Sequence, residues 1–195
     1  PMDATAAAPR AQGLDLADNY RARAFGTAIH RCLEALTYRS HIPKVCDAAL
    51  SDLLRSTLRN AGADSEALPD LQAEGKQMLD RVLSDPWAQW MLSGERPQRA
   101  AELALTQLGE EGAVQVVLDY MFVDEARGER WVVDYKTSAP RDGQSLEQFF
   151  ASQLEAYGPQ LSGYVDALTA RFSEPVRCAL YFTALGRHLE WRHIA

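Results

Sequence analysis

At 195 residues the chain has room for one domain with a sizeable core, or for a core with a helical extension. Its composition, 47% hydrophobic and 24% charged, is that of an ordinary soluble globular protein. No apolar run nears the ~18 residues that span a membrane and the N-terminus lacks a signal-peptide core, so a cytoplasmic location is expected. The net charge of −7, with 17 arginines and three lysines spread without a patch, excludes strong unaided capture of nucleic acid. Cys32, Cys46 and Cys178 are odd in number and lack metal-ligand spacing, which predicts free thiols in a reducing compartment.

Residues 1–17 have no apolar period and are expected to be a disordered or linker-like start, with Pro1 ahead of Met2 reading as a remnant of cloning. Residues 18–195 are expected to form one domain: a mainly helical part over 18–97, then a sheet over 98–195 with a helix over 143–170. From Asp18 to about Arg39, Phe25, Ile29, Leu33 and Leu36 recur at helical spacing and predict a buried stripe. Beside it, Gly26, His30 and Glu34 form an i, i+4, i+8 row, where the missing side chain at Gly26 would let another element or a phosphate approach. A lone histidine beside an apolar stripe is more often a satisfied, partly buried residue than a ligand. His41, His188 and His193 have less around them and read as structural or surface residues.

Lys44–Asn60 and Ser65–Leu83 are two further amphipathic segments, expected to pack on the first helix. Asp85-Pro86 stops the second, and Trp87, Trp90 and Met91 read as a short apolar turn. From Ala101 to Gln107 the pattern changes to strand, where Glu102 is either an acid near a site or an exposed edge residue. Val114–Thr137 then gives two alternating runs joined by a polar turn, a β-hairpin. Strict alternation puts Leu118, Tyr120 and Phe122 on one face, with Trp131, Val133 and Tyr135 sharing a side of the second strand. A turn over Asp124–Glu129 sets Asp119 across from Asp134, on the face of Lys136. Two carboxylates and an ammonium at one spot fit a divalent cation on hard oxygen ligands, Mg²⁺ or Mn²⁺, or else a plain surface ion pair. A second acid-x-Lys match, Glu74-Gly75-Lys76, lies in a helical segment and reads as chance.

Gly143–Ala170 is expected to be helical, with Gln153 and Tyr157 facing the same way and Gly158-Pro159 interrupting or kinking it. Val176–Thr183 predicts a strand reached by helical crossover, and His188–Ile194 a weaker last strand. The predicted fold class is α/β, a mixed sheet flanked by helices with an N-terminal helical subdomain.

Gly26-Thr-Ala-Ile-His30-Arg-Cys-Leu-Glu34, Leu118-Asp119, Val133-Asp134-Tyr135-Lys136-Thr137 and Gln153-Leu154-x-x-Tyr157 resemble, in order and spacing, the RecB/AddA-type PD-(D/E)xK nuclease domain carried by helicase–nucleases. The resemblance covers Ala24–Tyr157 and implies a restriction-endonuclease-like core. It further implies that His30, Asp119, Asp134 and the Tyr135 carbonyl ligate metal, that Asp119, Asp134 and Lys136 are catalytic, and that Gln153, Tyr157, Glu34 and Gly26 support the site or contact substrate. Val116 stands where many relatives have glycine. The four cysteines of cluster-bearing relatives are missing, so no iron–sulfur cluster is expected, and without a GxxxxGK[ST] loop no nucleotide is expected either.

The activity so implied is Mg²⁺- or Mn²⁺-dependent hydrolysis of DNA, as the exonuclease domain of a helicase–nuclease in end processing and recombinational repair. The expected partners are single-stranded DNA and a helicase motor. The competing class is a catalytically silent nuclease fold that binds DNA or braces a partner.

Overall fold

The computed structural model describes residues 16–94, 96–109 and 112–191. Most of the expected linker lies outside these residues. Helix α1 spans Leu16–Thr37, starting two residues ahead of the expected boundary. Ala24, Ala28, Cys32 and Leu36 form one buried row and Phe25, Ile29 and Leu33 the next, a face about two residues wide that sits against the rest of the core.

α2 (Ala48–Asn60) begins four residues later than expected, because Asp47 caps it by accepting a hydrogen bond from the Leu50 N–H. Leu50, Leu54 and Leu58 are its fully buried row. α3 (Leu68–Ser84) starts where Pro69 can occupy the first turn. Gly75 of α3 lies against Leu54, and a Cβ there would come within 2.7 Å of a Leu54 methyl, so glycine sets how closely α2 and α3 pack. Glu74 and Lys76 on either side are exposed, which leaves that acid-x-Lys match on a solvated helix face.

The expected apolar turn after Asp85 is instead a two-turn helix, α4 (Pro86–Leu92). Asp85 closes α3 and its carboxylate accepts from the Ala88 N–H, so one residue ends a helix and caps the next.

Five strands follow in the order β1 (Ala100–Gly109), β2 (Gly112–Asp124), β3 (Glu129–Lys136), β4 (Val176–Phe182) and β5 (Arg187–Trp191), each beside its sequence neighbour. All neighbours pair antiparallel except β3 and β4, which α5 (Leu146–Thr169) joins as a parallel crossover. The predicted hairpin is present, with Asp124 paired to Glu129. Every residue of β3 from Arg130 to Asp134, and Tyr135 after it, is buried. A central strand covered on both faces carries such a continuous run.

One face of the sheet, with Tyr120, Phe122, Trp131, Val133, Tyr135 and Tyr181, packs on α1–α4. The other, with Leu118, Met121, Val132, Leu180 and Phe182, packs on α5. Leu118 and Tyr120 therefore lie on opposite faces, against the alternation expected for β2. The ladder explains this. β1 and β2 pair at Ala101–Tyr120 and Leu103–Leu118, but Glu102 between them takes φ +52° and the Glu102–Asp119 step is missing from the pairing. Both strands change faces at that step, and the irregularity falls on two acids.

α5 runs unbroken through Gly158-Pro159, where an interruption or kink was expected. Pro159 and Glu155 are exposed, so water can satisfy the Glu155 carbonyl that proline leaves without a donor. The helix starts with a capping box between Ser145 and Gln148.

Candidate active site

The break at Glu102 and Asp119 faces α1. One ligand atom each from His30, Glu102 and Asp119 lies within 4.8 Å of the others. The His30 Nδ1 is 3.6 Å from an Asp119 oxygen, and its ring meets Tyr135 edge-on at 5.9 Å between centroids. The other Asp119 oxygen accepts the Tyr135 N–H at 2.7 Å. The Asp119 carboxylate thus takes over a backbone donor where the regular hairpin ladder stops, which fixes it between β3 and α1. His30 opens into a groove of about 550 Å³ lined by Gly26, Thr27, Arg31, Glu34 and Glu102. The predicted row Gly26, His30, Glu34 is therefore one wall of this groove, with Glu34 paired to Arg31.

The hairpin register that pairs Tyr120 with Val133 runs on to Asp119 and Asp134, as expected, but Asp134 and Lys136 turn to α5 while the Asp119 carboxylate turns to α1. The reason is the change of face at Asp119, which draws that carboxylate toward α1. Asp134, only 2% exposed, has the Lys136 ammonium 2.6 Å from one oxygen. Its other oxygen accepts from Gln160 at 3.0 Å and lies 3.2 Å from the Tyr164 hydroxyl. Gln160 also donates to Tyr164, whose hydroxyl lies 3.2 Å from the Val117 carbonyl as well. Tyr157 puts its ring 3.7 Å from the Lys136 ammonium, and Gln153 accepts from the Ser138 hydroxyl at 3.3 Å.

Gln160 and Tyr164 escaped the sequence analysis. Their signal was the spacing of Gln153, Tyr157, Gln160 and Tyr164, a polar stripe at steps of four, three and four on one helix face. The expected interruption at Gly158-Pro159 concealed it. Glu102, left open between a site acid and an edge residue, belongs to the cluster.

The ionisable groups feel one another. Burial works against charge on His30, but Asp119, then Asp134 and Glu102, outweigh it and raise the imidazole above its ordinary value. Burial first, and then the charge of Asp119, raise both Glu102 and Asp134, while Lys136 pulls Asp134 the other way. Burial also holds the Tyr164 phenol protonated, as a donor. Carboxylates that raise one another in this way favour a cation among them, and one imidazole with two carboxylates is a donor set suited to a divalent ion.

A family model for the PD-(D/E)XK nuclease superfamily matches residues 7–189. The chain belongs to the PD-(D/E)XK nuclease superfamily. No curated protein matches it. Among the described residues, the mixed five-stranded sheet with its five helices is consistent with the restriction-endonuclease-like α/β fold of that superfamily, and β3 carries the acid-x-Lys sequence Asp134-Tyr135-Lys136. Nucleases of this superfamily typically work with a divalent metal on DNA, and the His30, Glu102 and Asp119 cluster fits one. No helix among the described residues is long and apolar enough to cross a membrane.

Proposed function

We propose that this chain is a Mg²⁺- or Mn²⁺-dependent deoxyribonuclease, the exonuclease domain of a RecB/AddA-type helicase–nuclease that processes DNA ends for recombinational repair. The observation that carries the reading is the break in β1 and β2 that sets Glu102 and Asp119 against His30, with Asp134 and Lys136 on the next strand. In this reading His30, Glu102 and Asp119 would hold the ion, and Asp134 and the Tyr135 carbonyl from β3 would complete its ligands. A bound divalent ion supplies a water of lowered pKa and positive charge at the phosphate.

The protein's own groups do the rest. Lys136, tethered by Asp134 and the Tyr157 ring, presents its ammonium where it can orient the attacking water or neutralise charge growing on the phosphate oxygens. The water oxygen bonds to phosphorus, the bond to the leaving sugar oxygen breaks, and that oxygen takes up a proton. Gln160 and Tyr164 hold Asp134 so that Lys136 keeps its place, and Gln153 anchors the segment after β3 through Ser138. The groove beside Gly26, with its single-turn gap in side chains, admits the phosphate strand.

The test is incubation with linear and with circular single-stranded DNA in Mg²⁺, in Mn²⁺ and in EDTA. Cleavage of the linear form that EDTA abolishes supports the exonuclease reading. Cleavage of circles makes the enzyme an endonuclease, and DNA binding with no cleavage in either metal makes it the silent module.

A further inference from the structure

A second cavity, of about 480 Å³, adjoins the candidate active site. Its apolar wall is Phe25, Leu71 and Met78, and its rim carries the small residues Ala22 and Ala139. Across the mouth Arg21 and Glu74 approach to 3.8 Å, an exposed ion pair in which the acid is balanced by the arginine. Its volume lies in the range of small-molecule sites.

Two elements connect this cavity to the His30 groove. α1 lines both, with Ala22 and Phe25 on one side and Gly26, Thr27 and His30 on the other. Thr137, the residue after Lys136, lines the apolar cavity and faces Gly26, where a Cβ would come 3.8 Å from the Thr137 hydroxyl. The saddle between the two spaces is therefore bounded by a glycine, and a long side chain there would close it. From Phe25 to His30 is about 7.5 Å along the helix axis, or roughly two nucleotide steps of a stacked strand.

We propose that this cavity is a nucleobase subsite, which holds the flat face of a base one or two nucleotides from the phosphate being cleaved while the sugar–phosphate backbone crosses the Gly26–Thr137 saddle. The inference rests on the nuclease reading above. Apolar walls bury the faces of any base without reading its edge, so the subsite favours single-stranded substrate, whose bases are free to leave the stack, over duplex.

The experiment uses the whole chain with Mn²⁺ and a set of single-stranded oligonucleotides in which one abasic residue is moved stepwise past the cleaved bond. The expected result is a drop in cleavage on the order of tenfold when the abasic residue falls at one position, with little effect elsewhere. Ala139→Trp and Ala22→Trp, two exposed rim positions on different elements, should each fill the cavity. Both variants should slow cleavage of the ordinary oligonucleotide, erase the position effect, and leave Mn²⁺ binding unchanged by calorimetry. If wild type cleaves every abasic oligonucleotide as fast as the ordinary one, or if both folded variants keep the position effect, the subsite is overturned and the nuclease reading stands. Absence of any cleavage by wild type overturns that reading and the subsite with it.

Discussion

Glu102 and Asp119 come within reach of one cation beside His30, and the charge of Asp119, which raises both Glu102 and Asp134, is the clearest residue-scale mark of the site. Glu102→Gln keeps the shape of the side chain and removes one charged oxygen, so it should weaken Mn²⁺ binding by on the order of tenfold or more, read by calorimetry. Lys136→Ala should lower DNA cleavage by on the order of 10²-fold, with the melting temperature little changed. Unchanged cleavage would remove Lys136 from the chemistry, and global unfolding would make its contact with Asp134 a structural ion pair. The thiols make a separate residue-scale case. Burial pushes Cys32 and Cys178 up to about 12 from an ordinary 9.0. Alkylation needs the thiolate, so in the native state both should resist iodoacetamide at pH 8 and react faster as pH climbs toward 12. Mass spectrometry after brief labelling should find Cys46, half-buried just ahead of the α2 cap Asp47, modified ahead of them.

At the scale of elements, two close approaches set the helical layer on the sheet. The α2–α3 crossing depends on Gly75, because a Cβ there would meet the buried Leu54 methyls at 2.7 and 3.0 Å. Gly75→Val should cost on the order of 2 kcal/mol by overpacking, a fall in Tm of roughly 4–8 °C for a chain of this size. A melting curve that matches wild type would mean that α2 can shift without loss. α5 is the second case. Its polar stripe from Gln153 to Tyr164 faces β3, and Pro159 is tolerated because it lies on the exposed side. Tyr164→Phe removes the phenol hydroxyl that lies between Asp134 and Val117 while keeping the ring in the core. It should reduce cleavage on the order of tenfold with only a small change in Tm, a buried hydrogen bond being worth about 1 kcal/mol.

For the whole molecule, a net charge of −7 opposes the approach of DNA, and a motor that feeds single strands into the His30 groove would overcome that repulsion through effective concentration. On this proposal the chain alone should bind single-stranded DNA weakly and with a steep salt dependence, and attachment to a helicase should raise turnover at matched salt. Tight binding by the chain alone, with equal turnover in both forms, would indicate an autonomous nuclease.

Much of this molecule was decided by local rules that the sequence carries by itself. Apolar residues three and four apart made α1, α2 and α3, alternation bounded by a polar turn made the β2–β3 hairpin, and the crossover helix placed β4 parallel to β3. The row Gly26, His30, Glu34 and the segment Asp134-Tyr135-Lys136 were visible because helical and strand periods put them on defined faces. What alternation could not foresee is the step at Glu102 and Asp119, where two paired strands change faces together. That step combines a positive φ at Glu102 with a carboxylate that accepts the Tyr135 N–H from the next strand, neither of which leaves a local trace. The same limit applies to Gln160 and Tyr164. Their polarity and spacing were present in the sequence, but their partner is 26 and 30 residues away, and only the packing of α5 on β3 brings them to Asp134. Periodicity determined which elements exist, and long-range packing determined which side chains share the site.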